Sequence, residues 1–393
     1  MENLSKFYVN GEWVAPCSPD TMPVLNPVNV KQLGEVALGN EADVDRAVAA
    51  AVAAFDHFSS WTKSERLALL KRIRAVSEAR FEELAQAMRM EMGAPITMAR
   101  EAQADAAIGH LDGFIAALER LEESESFDNG EVLLREPIGV CGLITPWNWP
   151  INQVVLKVLP VIATGCTCVL KPSEHTPISA MIYAEILHEA GVPAGVFNMV
   201  NGTGPVVGSA LSRHADIQMM SFTGSTRAGT AVTQDAAPSV KRVTLELGGK
   251  SPNLIFADCD LETRVTQSVA ECMFNTGQSC DAPTRLLVER SCYDEVVEIA
   301  QRAAEQTRVD DPELEGDHLG PLFDQIQFDR VQAMIQVGID EKAKLVAGGL
   351  GRPEGLTTGW FVRPTIFADV TNDMRIAREE IFGPVLALSL IHI

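Results

Sequence analysis

Two residues of this chain are of the right types to work together on a carbonyl carbon. Cys280 closes the run Phe274-Asn275-Thr276-Gly277-Gln278-Ser279-Cys280, and Glu246 lies 34 residues before it in Leu245-Glu246-Leu247-Gly248-Gly249-Lys250. A thiolate adds to a carbonyl and can leave a thioester behind, and a carboxylate can then activate water to hydrolyse it. The chemistry this pair implies is aldehyde oxidation. An isolated intracellular cysteine is usually a buried thiol, and an isolated glutamate a solvated charge. Here Gly277-Gln278 predicts a flexible loop that lets backbone approach the thiol. Val243, Leu245 and Leu247 predict an apolar strand that partly desolvates Glu246, which favours a general base.

The pair does not stand alone. Glu-Leu-Gly-Gly-Lys-Ser-Pro-Asn followed by Gly-Gln-Ser-Cys comes in one order with Asn26-Pro27, Pro146-Trp147-Asn148, Lys171-Pro172-Ser173-Glu174, Phe222-Thr223-Gly224-Ser225-Thr226 and Glu379-Glu380-Ile381-Phe382-Gly383-Pro384-Val385. This series resembles the NAD(P)-dependent aldehyde dehydrogenase superfamily. The resemblance implies that Cys280 attacks an aldehyde, that Asn148 and the Cys280 backbone N–H hold the resulting oxyanion, and that hydride passes to NAD. It makes Glu246 the base that hydrolyses the thioester, and it places Lys157 near the cofactor or in a proton relay. It also implies cofactor contacts from Ile144, Trp147, Lys171, Ser173, Glu174, Gly204, Gly208, Phe222, Gly224, Ser225, Leu247, Gln327, Glu380 and Phe382.

Lys171 and Glu174 resemble a ribose clamp. A carboxylate there accepts hydrogen bonds from ribose hydroxyls and repels a 2′-phosphate, so NAD is expected rather than NADP. Gly202-Thr203-Gly204-Pro205-Val206-Val207-Gly208 departs from the dinucleotide fingerprint and reads as a strand-to-helix turn beside the cofactor. Phe222-Thr223-Gly224-Ser225-Thr226 is a strand end, glycine turn and helix start whose free N–H groups suit a pyrophosphate. Glu246 points to hydrolytic release rather than transfer to a thiol such as coenzyme A. Asp281, next to the nucleophile, carries no substrate assignment.

These residues must be positioned by regular elements. Val140–Ile144, Thr167–Leu170, Val196–Val200, Met219–Phe222 and Val243–Leu247 are short apolar runs separated by helix-length segments, which predicts a parallel βαβ series buried on both faces. Ligands of such sheets gather at the carboxyl ends of the strands, where the motifs fall. Asn253–Phe256 begins a second unit. Before the series, Thr62-Lys63-Ser64-Glu65 is a capping box, with Leu67, Leu70, Ile73 and Val76 as one apolar stripe and Gly93 as the stop. Ala47–Ala54 reads as a packed helix. Asn129-Gly130 predicts a hairpin.

The expected fold class is α/β, and the resemblance implies a Rossmann-like parallel-sheet NAD-binding domain (1–122 and 140–246), an oligomerisation hairpin (123–139) and an α/β catalytic domain (247–393). Members of the resembled family continue beyond Phe382-Gly383-Pro384-Val385, so the catalytic domain is expected to be incomplete at its C-terminus, in a chain whose full-length form is a homodimer or homotetramer.

Composition excludes other classes. A chain of 393 residues with net charge −21 lacks the basic face needed by a nucleic-acid or anionic-membrane partner. No apolar run reaches the roughly 18 residues of a membrane helix, and residues 1–15 lack an apolar signal core, so a cytoplasmic location is expected. The eight cysteines follow neither disulfide-scaffold nor zinc spacing. Most of them, Cys272 and Cys292 included, read as buried reduced thiols. His110, His175 and His214 form no metal-like cluster, and no metal is expected. Two other readings stay open: a cofactor-free cysteine esterase, which shares the thiol, amide and base, and an inactive fragment or NAD-binding scaffold.

Overall fold

A computed structural model describes residues 3–391. The chain divides into two compact units, one holding residues through Leu25 with Gln32–Glu91 and Arg100–Leu247, the other Asn26–Lys31, Met92–Ala99 and everything from Gly248 onward.

The first unit is built on a seven-stranded sheet. Its strand order is Arg242–Leu247, Met219–Gly224, Val140–Ile144, Thr167–Lys171, Phe197–Met199, Phe7–Val9, Glu12–Val14. The first five run parallel and the last two are antiparallel additions. The five parallel strands thus match the βαβ series read from the sequence. Chain order reverses between Val140–Ile144 and Met219–Gly224, and a crevice opens at the carboxyl ends of strands where such a reversal occurs. Val140–Ile144 and Thr167–Lys171 are buried at every position, as continuous apolar runs require. Arg242–Leu247 departs from that expectation. It is the edge strand, and its residues alternate between exposed and half-buried.

Helix Glu41–Ser59 covers one face of the sheet, and its Val44, Ala47, Val48 and Ala51 share a core with Val140, Ile144, Val169 and Phe222. Burying each of the valine, isoleucine and phenylalanine side chains stabilises the fold by about 1.5–3 kcal/mol. Helix Lys63–Ala79 starts at the Thr62–Glu65 capping box. Its buried stripe is Arg66, Leu69, Leu70, Ile73 and Ser77, so the predicted stripe is rotated by part of a turn and Leu67 and Val76 are only half-buried. The helical stretch is also broken at Arg80, and Gly93 follows a separate helix, Phe81–Met92. Strands Ser124–Ser126 and Val132–Leu134 pair antiparallel around Asn129-Gly130 as a hairpin.

The second unit carries a five-stranded sheet in the order Pro252–Ile255, Arg285–Val288, Val385–Leu390, Thr365–Ala368, Lys344–Ala347, parallel except for the last pair. Helices Leu261–Met273 and Tyr293–Gln306 pack on it through Val265, Val269, Val296 and Ala300. Cys272 and Cys292 are buried in this unit, and none of the eight cysteines forms a disulfide.

Candidate active site

In the first unit the site residues gather at the carboxyl ends of the parallel strands. Strand Val140–Ile144 ends at buried Ile144 and passes through half-buried Trp147 to Asn148, which is 3% exposed. Pro150 opens helix Pro150–Ala163 at its first position, where a missing N–H costs nothing. Gln103 donates to the Asn148 backbone carbonyl at 3.3 Å and so fixes that turn.

The next strand, Thr167–Lys171, delivers Lys171. Its Nζ donates to Glu174 Oε2 at 2.7 Å and to the carbonyls of Pro172 and Gly202, both at 2.8 Å. Burial pushes the Glu174 carboxyl up, but the Lys171 charge and hydrogen bond outweigh it, and Glu174 lies below its ordinary value. Ser173 is buried, with its hydroxyl accepting from the His175 N–H. Gly204–Gly208 forms a single wide turn leading into Ser209–Arg213, as a strand-to-helix turn should.

Side-chain alternation on two neighbouring strands sorts the remaining residues. Thr223 and Glu246 are direct partners in the parallel register, as are Ser221 and Thr244, so these four share one face of the sheet. Phe222, Leu245 and Leu247 point to the other, where all three lie against Gly229 of helix Thr226–Ala236. Lys157, on helix Pro150–Ala163, reaches the polar face: its Nζ donates to Ser221 Oγ at 3.0 Å. Burial pulls Lys157 down to about 8, and the charge of Glu246 pulls it up. The desolvation expected around Glu246 is not found, because its edge strand leaves it exposed.

The same strand ends offer places for a dinucleotide. Ser225 caps helix Thr226–Ala236 by accepting from the Ala228 N–H, leaving other first-turn N–H groups open to an anion. Thr223 Oγ1 is buried without a partner. Beside Gly204, space is open to 4 Å around where a Cβ would stand. With the Glu174 carboxylate at a neighbouring strand end, this donor and acceptor set fits a pyrophosphate and a ribose.

In the second unit Cys280 is half-buried in the loop between Leu261–Met273 and Arg285–Val288. The turn before the thiol has a defined, tightly packed backbone. Asn275, Thr276 and Gly277 all adopt the left-handed conformation, with φ of 55°, 55° and 69°. A Cβ at Gly277 would stand 2.1 Å from the Gly383 carbonyl oxygen. Gln278 is fully buried, accepting from Phe323 N–H at 3.0 Å and donating to the Asn275 carbonyl at 3.1 Å. Its burial was not read from the sequence, although it lies inside the Gly-Gln-Ser-Cys run.

Glu380, Phe382 and Gln327 come together in this unit. Gln327 Nε2 donates to the carbonyls of Phe382 at 2.6 Å and Ile381 at 3.3 Å. Arg330 donates to the Glu380 carbonyl, and Glu380 Oε1 accepts from the Gly249 N–H at 3.3 Å. Phe382 has φ of 60°. Burial raises the Glu380 carboxyl, opposed by that hydrogen bond and by Arg330 and Lys250. A Cβ at Gly248 would collide with the same carboxylate.

Among the described residues no group of three or more His, Cys, Asp or Glu is placed to hold a metal ion. Among the same described residues no helix is long and apolar enough to cross a membrane.

A model of the aldehyde dehydrogenase family matches residues 13–392. The chain is 50% identical over 389 residues to a 3-succinoylsemialdehyde-pyridine dehydrogenase of a Pseudomonas species, covering 99% of this chain and 81% of the relative. Aldehyde dehydrogenase C of Pseudomonas syringae, solved as a cysteine-to-alanine mutant complexed with NAD+ and octanal, superposes with a TM-score of 0.98 at 50% identity, covering 99% of this chain and 80% of the other. An aldehyde dehydrogenase of Bartonella henselae superposes with a TM-score of 0.96 at 48% identity, covering 98% and 81%.

Proposed function

This chain belongs to the aldehyde dehydrogenase family, an oxidoreductase acting on aldehydes, and from that premise we propose that it oxidises an aldehyde to a carboxylic acid with NAD, through a thioester on Cys280. The observation that carries the reading is the convergence in the first unit of Asn148, the Lys171–Glu174 pair and the Ser225 helix start on neighbouring strand ends. The NAD and octanal complex of the similar Pseudomonas syringae enzyme supports both ligand classes.

The Cys280 thiolate adds to the aldehyde carbon, and the carbonyl electron pair becomes an alkoxide. Asn148 donates its amide N–H to that oxygen, where a buried, prearranged donor is worth far more than in water. When bound, NAD supplies the acceptor for the hydride that leaves this carbon. Glu246 then takes a proton from water, whose oxygen bonds to the thioester carbon as the C–S bond breaks and the thiolate leaves. Glu246 needs solvent access for this, and its exposed strand end gives it. Glu174 favours NAD over NADP by repelling a 2′-phosphate. Gln327 acts by holding the Ile381 and Phe382 backbone, and Glu380 and Phe382 would hold the nicotinamide ribose and ring.

We assign the cofactor to a domain formed by 1–122 and 140–246 and the nucleophile to 247–393. The hairpin of 123–139 exposes Phe127, Val132, Leu133 and Leu134, a surface suited to a second copy in a homodimer or homotetramer. Eight cysteines without a disulfide suit the cytoplasm.

The test is rapid-mixing measurement of NADH formation from NAD and octanal. Cys280→Ala is expected to form none. Glu246→Gln is expected to give a full first burst while steady turnover falls about 10²–10⁴-fold, and equal loss of both phases removes the base from the mechanism.

A further inference from the structure

One buried carboxyl group closes the loop that bears Ser173 and Glu174. That loop, residues 172–176, is all that joins strand Thr167–Lys171 to helix Pro177–Glu189. Its first end is held by the sheet, where the Lys171 carbonyl accepts from the Thr145 N–H at 3.2 Å. Its second end is a helix start, and the four N–H groups that begin a helix have no partners within it. Here the Thr176 N–H donates to the Ser173 carbonyl at 3.3 Å, Pro177 has no N–H, and the Thr176 side chain caps nothing. Glu91, 1% exposed near the end of helix Phe81–Met92, takes the other two. It accepts from the Ile178 N–H at 2.6 Å, from the Ser179 N–H at 2.9 Å and from the Ser179 hydroxyl. All four positions are thereby accounted for. Unlike the helix start at Ser225, this one keeps no donor for an anion and is instead a fixed end for the loop.

We propose that Glu91 is a positioning residue for the cofactor, fixing the first turn of helix Pro177–Glu189 and so the loop that presents Ser173 and Glu174 to a ribose. The inference rests on the reading of Glu174 as the ribose contact and adds what holds that contact in place. The N–H groups that Glu91 binds lie four and five residues beyond Glu174, about one helical turn away. Ile178 and Ser179 are buried, and a buried donor left without an acceptor is costly, so without Glu91 the first turn opens toward water. Arg80 donates to Glu185 at 2.8 Å farther along, which keeps the helix docked and confines the loss to its start. The ribose then meets a carboxylate that must be ordered first, and that ordering weakens cofactor binding. The steps at Cys280 keep their rate once the cofactor is bound. A neutral acceptor is enough for this hold, because burial already raises the Glu91 carboxyl to about 7.

The test uses the full chain with NAD and octanal, following steady NADH formation, with NAD binding measured separately by calorimetry. Glu91→Ala is expected to raise both the KM and the Kd for NAD about five- to tenfold, while kcat and the KM for octanal stay within about twofold of the parent. Glu91→Gln, which keeps the length and one acceptor oxygen, is expected to bind NAD within about twofold of the parent. Thermal unfolding of each variant separates weak binding from failure to fold. Glu91→Leu fills the same space without an acceptor and carries the same expectation as Glu91→Ala if the alanine variant unfolds early. Unchanged NAD binding in the folded variant overturns the proposal. So does a kcat that falls in proportion, a KM for octanal that rises in parallel, or a glutamine variant as weak as the alanine one. Glu174→Ala distinguishes the two levels: if it binds NAD as the parent does the ribose reading itself is wrong, whereas weak binding there with normal binding in Glu91→Ala removes only the positioning role.

Discussion

Asn148 is buried at the carboxyl end of its strand. Its backbone carbonyl accepts from Gln103 and Pro150 closes the turn, so the residue proposed to hold the oxyanion sits on a fixed backbone. Asn148→Ala is expected to lower kcat about 10²–10³-fold with little change in KM, measured by steady-state NADH formation. Glu174 tests recognition rather than chemistry. Glu174→Gln removes the negative charge, so the ratio of kcat/KM for NAD to that for NADP should fall by about tenfold or more, with NADP gaining in absolute terms. An unchanged ratio places the discrimination elsewhere. At this scale the sequence was most legible where a residue's chemistry is also its position: Cys280, Lys171 and Glu174 lie in short motifs whose spacing survives folding. It was least legible where position is made by distant partners. The exposure of Glu246 depends on which strand ends the sheet, and no local pattern in Val243–Leu247 states that.

Two elements carry loads that only tertiary structure reveals. Helix Pro177–Glu189 begins at Thr176, which caps nothing with its side chain, and the role is taken by Glu91, 87 and 88 residues distant in sequence. Glu91 accepts from the Ile178 and Ser179 N–H groups at 2.6 and 2.9 Å, and burial raises it to about 7. A carboxyl raised in the folded state binds its proton more tightly there than when unfolded. Its stabilising protonation is therefore complete below about 4.5 and lost as pH rises through about 7. Melting temperatures of the parent and Glu91→Gln, compared from pH 5 to 8, should diverge in the variant's favour as pH rises, and parallel curves would exclude the titration. The second element is the turn before Cys280. Gly277→Ala forces a Cβ into the Gly383 carbonyl at a left-handed position, a cost of about 3 kcal/mol or more that chemical denaturation should detect. The glycine was visible in the sequence, but the backbone packed against it was not, because Gly383 arrives more than a hundred residues later.

At the scale of the whole molecule the parallel strands were predictable because buried strands advertise themselves as continuous apolar runs, and the five found in the first sheet each overlap one read from the sequence. Cofactor binding gives a test at this scale that needs no turnover. NAD at 100 times its Kd should stabilise the protein by about 2.7 kcal/mol, and amide exchange should slow around 144–148, 171–176 and 223–228. Slowing confined to residues beyond 250 would move the cofactor away from the strand ends assigned to it. Neither compact unit is a continuous stretch of chain. The second takes Asn26–Lys31 and Met92–Ala99 from the early part of the polypeptide and everything else from Gly248 onward. On the ribosome, at about 5–20 residues per second, those two early segments must wait roughly ten to thirty seconds after the first unit has been synthesised before their partners emerge. Newborn molecules thus pass through an interval in which these segments lack their partners, and no single proteolytic cut or simple gene split can yield the second unit whole.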